Sequence, residues 1–134
     1  MALEVLTEEE ANTIGKTPFS EVISFIVSEC DDAANNLPDS YVNEPGAEIG
    51  RVTKGFAMAV KSKALLYAAS KLHNPSMDTE LWKKSAKAAI DIINTGLYSL
   101  DPQESANNLD TKEVVLMRIN GDDSDFEMFN LPLR

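Results

Sequence analysis

Side chains that could form a metal or catalytic site occur at two separate places in the chain. Residues 120–125, NGDDSD, offer carboxylate and amide oxygens, the ligands that calcium prefers. They lack the twelve-residue loop pattern with its final bidentate glutamate, so we interpret them as a solvated acidic loop. His73 is the only histidine and stands near Pro75 at the predicted end of a helix, with no partner to orient it. We interpret it as a helix C-terminal residue and not as a general base.

Tyr41 and Asn43 are the candidate ligand-binding residues. They lie in a loop that contains two prolines and two glycines, where the ring could stack on a sugar and the amide could hydrogen-bond to it. An ordinary loop tyrosine is the simpler alternative. Trp82 could offer a similar stacking surface, but its place in the apolar stripe of a predicted helix favours core packing. Tyr67 and Tyr98 receive the same interpretation, with their hydroxyl groups reaching a partner at the edge.

No enzyme motif can be placed on the sequence. Nucleophile motifs built on serine or cysteine, glycine-rich phosphate loops and zinc-ligand spacings are absent. Carboxylates are numerous, but no pair has a spacing that predicts glycosidase chemistry. We therefore expect a protein that is not an enzyme, with no catalytic residue, metal or cofactor.

Composition and charge exclude further classes of function. The 134 residues, 43% hydrophobic and 25% charged, are typical of one globular domain. The net charge of −10 argues against nucleic-acid binding, which needs clustered lysine and arginine. The apolar runs are too short to cross a membrane, and the N-terminal residues do not resemble a secretory signal. Cys30 is the only cysteine, so an intrachain disulfide is impossible.

Three helices are predicted between residues 17 and 100. Thr17 can cap the first, with Pro18 at its first helical position. This helix should end near Asn36, because Pro38 disfavours helical geometry at the residue before it. The third helix should begin at Asp78 or Thr79. Its predicted apolar face contains Trp82, Ala86, Ala89, Ile90 and Ile93, its polar face contains Lys83, Lys84, Lys87, Asp91 and Asn94, and Gly96 follows its end.

The second predicted helix, residues 53–72, carries large apolar side chains on two opposite sides. One side contains Phe56, Val60 and Tyr67, the other contains Met58, Leu65 and Leu72, and alanines lie between them. A helix with two apolar stripes is buried between two layers, so we expect the first and third helices to cover it. We also expect Leu65→Asp to unfold the domain.

These patterns predict an all-α fold, a tetratricopeptide-like stack of antiparallel helices forming an α-α superhelix. Residues 1–16 are expected to form a loosely ordered lead-in, and residues 17–100 the helical domain. Residues 101–134 are expected to form an irregular acidic tail, with a short strand or extended segment at residues 113–119.

Two segments of the sequence resemble the SusD/RagB family. They are GRVTKGFAMAVKSKALLYAAS, residues 50–70, and LWKKSAKAAIDIINTGLYSL, residues 81–100. The segments PFSEVISFIVSECDDAANNLP upstream, and KEVVLMRI and DFEMFNLP downstream, are also similar to the family pattern. The resemblance runs from about residue 17 to residue 132.

The resemblance implies a role in nutrient uptake. SusD-like proteins are surface-exposed outer-membrane lipoproteins of Bacteroidetes-type bacteria, mostly helical and built on tetratricopeptide-like helix pairs. They bind glycans or other nutrients, deliver them to a SusC-like TonB-dependent transporter, and are not enzymes. Family members are several times longer, so this chain resembles an internal fragment without the lipid-anchor cysteine through which the family attaches to the membrane.

The resemblance places no ligand-binding residue on this sequence, because the family's glycan-binding segments vary between members. A free-standing tetratricopeptide-like module that binds another protein is the alternative function. If the chain is an internal fragment, part of its apolar helix surface should be uncovered, and the chain should self-associate or bind a hydrophobic dye.

Overall fold

Four α-helices follow one another in the computed structural model, which describes residues 5–41, 50–100 and 112–116. They are α1 (Glu8–Thr13), α2 (Phe19–Asn36), α3 (Lys54–Ala69) and α4 (Thr79–Asn94). The middle helix α3 packs against both α2 and α4, whereas α2 and α4 do not contact each other. The described ranges contain no strand, which confirms the predicted all-α fold. None of the helices in these ranges is long and apolar enough to cross a membrane.

Both ends of α2 can be compared with the sequence predictions, which place a cap at Thr17 and the helix end near Asn36. The helix begins at Phe19, one residue later than expected, and Pro18 rather than Thr17 occupies the N-cap position. The Pro18 carbonyl accepts hydrogen bonds from the backbone amides of Glu21 and Val22, while its own ψ of 138° is not helical. The predicted end at Asn36 is confirmed, because the next residue is extended, as expected for a residue that precedes a proline.

Helix α3 ends three residues earlier than predicted. Ser70 is extended, with a ψ of 154°, and its hydroxyl donates a hydrogen bond of 2.6 Å to the Tyr67 carbonyl. Leu72 and His73 therefore lie in the turn beyond the helix, and both are exposed. The predictions that Leu72 extends an apolar stripe of α3 and that His73 ends the helix are wrong.

The buried side chains of α3 are alanines. Ala57, Ala68 and Ala69 are buried, and Ala69 is 0% exposed. The larger residues Phe56, Met58, Val60 and Leu65 are only half-buried. The prediction of a middle helix is confirmed. Of the alanines expected at its points of close approach, Ala57 and Ala68 are buried and Ala64 is half-buried. Tyr67 is 59% exposed, so the prediction that it packs in the core is wrong.

Helix α4 has the predicted ends but the opposite packing face. Asp78 is the N-cap and accepts a hydrogen bond of 2.9 Å from the Glu80 amide, and Gly96 follows the helix with a φ of +66°. The buried residues of α4 are Ser85 and Ala88. The predicted apolar face is exposed instead at all five positions, Trp82, Ala86, Ala89, Ile90 and Ile93. Only small side chains let α4 approach the alanines of α3 closely.

The turn between α3 and α4 is built around Asn74, which is 2% exposed. Its side-chain nitrogen donates to the Asp78 carbonyl at 2.9 Å, and its side-chain oxygen accepts from the Asp78 amide at 2.8 Å. One buried amide therefore satisfies both backbone groups of the residue that caps α4. This arrangement fixes the start of α4 relative to the end of α3.

Outside the three packed helices, the structure describes α1 and a segment at residues 112–116. Within the predicted lead-in, Thr7 and Glu10 form a reciprocal capping box at the start of α1, whose residues are all exposed. The Ser99 amide donates to the Lys112 carbonyl at 3.2 Å, and residues 112–116 are not in a strand. Residues 117–119 of the predicted extended segment lie outside the described residues.

Candidate functional site

An apolar groove with a volume of about 500 Å³ lies between α2 and α4, with α3 as its floor. It exists because α2 and α4 both pack on α3 without contacting each other. Each helix contributes a stripe at helical spacing. The stripes contain Phe19, Ile23 and Val27 from α2, Lys61, Leu65 and Ala68 from α3, and Leu81, Lys84 and Ala88 from α4. The volume lies in the range of sites that bind small molecules or the side chains of a partner.

The charges that line this groove differ from those of the whole chain. Three lysines and one aspartate line it, a formal sum of +2, whereas the chain carries −10. Lys61 pairs with Asp31 at 2.6 Å, and Lys87 pairs with Asp91 at 2.7 Å on the same helix. Lys84 has no ion-pair partner within the residues that the structure describes. The groove therefore combines apolar walls with ammonium groups that can meet an anion.

His73 and Phe19 stack against each other on the wall of the groove. Their ring centroids are 3.7 Å apart and their planes differ by 11°. The contact joins the turn after α3 to the first residue of α2. It gives the imidazole a packing role, and none of the carboxylates that the structure describes orients it in the way that a general base requires.

Tyr41, the candidate ligand-binding residue that the structure describes, does not line the groove. The Tyr41 ring is half-buried, and the Arg51 guanidinium carbon lies 5.0 Å from its centroid, so a cation already occupies one face. Asn43 lies outside the described residues, so the proposed pairing with Tyr41 stays a prediction. The acidic segment at residues 120–125 also lies outside them.

Tyr98 and Cys30 also carry side chains that could bind a ligand or react, and the structure defines their surroundings. The predicted packing role of Tyr98 is supported, because its ring lies against Gly55 in α3. Cys30 is half-buried on α2, and burial, followed by the nearby Asp31 carboxylate, raises the pKa of its thiol. A thiol with a raised pKa is a poorer nucleophile at neutral pH. The described ranges also contain no group of three metal-ligating side chains.

One side of α4 carries apolar side chains that no other described residue covers. We call Trp82, Ala86, Ala89, Ile90 and Ile93 the outer face of α4. Trp82 is 41% exposed, so the prediction that it packs in the core is wrong, and Ile90 and Ile93 are 52% and 73% exposed. Positions 82, 86, 89 and 93 repeat at intervals of four, three and four residues, the pattern of a helix that packs against another helix.

The spacing of apolar residues did not predict the stripes that line the groove, since Lys84 was expected on a polar face of its helix. The groove depends on how far apart α2 and α4 are held, and no spacing along the chain reports that distance. The periodicity of α4 does predict the five residues of the outer face as one apolar face, although it predicts them to be buried. No family model matches the chain, and no curated protein or solved structure was found to be similar to it.

Proposed function

We propose that this chain is part of the helical scaffold of a SusD-like protein. Such a protein binds glycans or other nutrients at the surface of the outer membrane and delivers them to a SusC-like TonB-dependent transporter. The observation that carries the proposal is the uncovered outer face of α4. In stacked helical repeats each helix pair buries its apolar surface against the next, and only terminal helices have a polar outer side. An apolar outer face is what an internal member of such a stack requires.

The contact between Gly55 and Tyr98 joins the two segments on which the proposal depends. Gly55 lies in the first segment that resembles the SusD/RagB family, and Tyr98 lies in the second. The tyrosine ring occupies the space that any larger residue at position 55 would need. The two segments therefore form one packing unit.

Binding assays on a longer protein that contains this chain test the proposed role. We expect that protein to bind an oligosaccharide, polysaccharide or peptide in a ligand array and to copurify with a SusC-like transporter. Absence of both would contradict the nutrient-uptake function.

A stability comparison tests the scaffold role separately. Replacing Ile93 by serine should leave the unfolding midpoint of the isolated chain unchanged, because the side chain is 73% exposed there. In the longer protein the same change should cost about 1.5–3 kcal/mol, the value of burying one large apolar side chain. Lys83→Ser, which alters a residue beside the outer face, is the matched control and should be neutral in both. Equal effects of Ile93→Ser in the two proteins would show that no helix covers the outer face.

A free-standing tetratricopeptide-like module that binds another protein is the second candidate. The groove between α2 and α4 favours it, because such a groove can accept a peptide without any further helix. Sedimentation of the isolated chain distinguishes the two candidates. Self-association and binding of a hydrophobic dye are expected of a scaffold segment, and a dye-silent monomer is expected of a complete module.

A further inference from the structure

We propose that the groove between α2 and α4 binds one face of an acidic amphipathic helix from a partner protein. The apolar side chains of that helix would lie on Leu65 and Ala68 of the floor, and its carboxylates would meet Lys84 and Lys87. The inference concerns a different surface from the outer face of α4 and does not depend on the SusD-like assignment.

The shape of the groove fits a helix of two to three turns. Its lining residues on α2 run from Phe19 to Val27 and those on α4 from Leu81 to Asp91, about 12 and 15 Å at a rise of 1.5 Å per residue. The groove is open on the side away from α3, so a rod can lie along it. A helix seated there would contact three helices at once and would complete a four-helix arrangement.

The dimensions favour a helix over a small amphiphilic molecule. Sites for small ligands enclose most of the ligand surface, typically about 70–90%. A groove that is open along one side covers only one face of its occupant, as a helix-in-groove interface does. Anchor residues spaced three, four and seven positions apart on the partner would match the lining stripes.

The charges select an acidic partner. The groove lining sums to +2, and the sum is still +1 when Asp31, the partner of Lys61, is included. Lys87 is engaged only with Asp91 one turn away on an exposed helix surface, an interaction of small energy that a partner carboxylate can replace. Because the rest of the chain is strongly acidic, an acidic helix would be repelled elsewhere and attracted to this groove.

Fluorescence anisotropy with two designed peptides tests the proposal. Both are labelled amphipathic helices of about 15 residues with leucines at the anchor positions, and they differ only in having glutamate or lysine beside the leucines. We expect the glutamate peptide to bind the full chain about tenfold more tightly than the lysine peptide. Lys84→Glu should weaken binding of the glutamate peptide by about tenfold and strengthen binding of the lysine peptide. Lys83→Glu, the same charge change on the same helix but outside the groove, should change neither affinity.

A second variant keeps the test decisive if charge reversal disturbs the fold. Ser24 is an exposed residue on the groove wall, and Ser24→Trp should fill the groove and abolish peptide binding while the circular dichroism spectrum is retained. Equal affinity for the two peptides would show that the lysines do not select an acidic partner and would overturn the proposal. Binding lost in Ile93→Ser but not in Lys84→Glu would place the interaction on the outer face and would also overturn it. Binding of decanoate that depends on Lys84, without binding of either peptide, would instead identify a site for a small amphiphile and also overturn it.

Discussion

Gly55→Ala gives the most direct test of how α3 and α4 are joined. A Cβ atom built on Gly55 would overlap the Tyr98 hydroxyl oxygen and lie 2.6 Å from the Cε2 and Cζ atoms of the ring. The ring is rigid and can make room only by turning about its side-chain torsion angles, because the backbone on both sides of it is hydrogen-bonded. The Leu97 amide donates to the Thr95 hydroxyl, and the Ser99 amide donates to the Lys112 carbonyl.

Two effects of opposite sign determine the size of the change. Replacing a helical glycine by alanine stabilises a helix by about 0.5–1 kcal/mol. Forcing an extra methyl group into a packed contact destabilises by about 1–3 kcal/mol. The steric effect is the larger, so we expect Gly55→Ala to lower the free energy of unfolding by about 1–2 kcal/mol. With a urea dependence of about 1–2 kcal/mol per molar, the unfolding midpoint should fall by about 1 M.

The double mutant provides the critical measurement, followed by circular dichroism in urea. In a Tyr98→Ala background the obstacle is gone, so Gly55→Ala should become stabilising, and the coupling between the two changes should be about 1–3 kcal/mol. Gly15→Ala is the control, since nothing lies within 4 Å of a Cβ at that position, and we expect it to be nearly neutral. The packing argument fails if Gly55→Ala raises the midpoint in the parent chain, or shifts it equally in both backgrounds.

Asn74→Ala should lower the free energy of unfolding by about 1–3 kcal/mol in urea denaturation, because both backbone groups of Asp78 lose their partner in a buried turn. Asn36→Ala, which removes an exposed amide, should cost clearly less, and equal losses would show that the turn is not specially stabilised. The raised pKa of Cys30 predicts that the pH of half-maximal alkylation rate is higher in the folded chain than in urea. Since the unfolded thiol then ionises first, stability should decrease as the pH rises above the unfolded pKa. Coincident alkylation profiles would refute the burial effect.

Helix ends were predictable where one residue determines the backbone geometry. Pro38 ended α2 at Asn36, and Asp78 began α4, because the clash of a proline ring with the preceding residue and a capping carboxylate both act locally. The end of α3 was not predictable, because Ser70 terminates it through a hydrogen bond to its own helix. The spacing of apolar residues along the chain does not indicate where such a bond forms.

The packing face of α4 was predicted on the wrong side for a physical reason. Periodicity of large apolar residues indicates the buried face when side-chain area decides the packing. Here α3 presents alanines, so the close contact selected Ser85 and Ala88 and left Ile90 and Ile93 exposed. The groove escaped prediction because it depends on the separation of two helices that do not contact each other.

The middle position of α3 also bears on how the chain folds. Each described helix contact joins neighbours along the sequence, α2 with α3 and α3 with α4. The described helices therefore assemble through contacts between sequence neighbours, which favour rapid folding. Either helical hairpin can form first and act as the template for the remaining helix, so the order of assembly is set by local stability and not by topology.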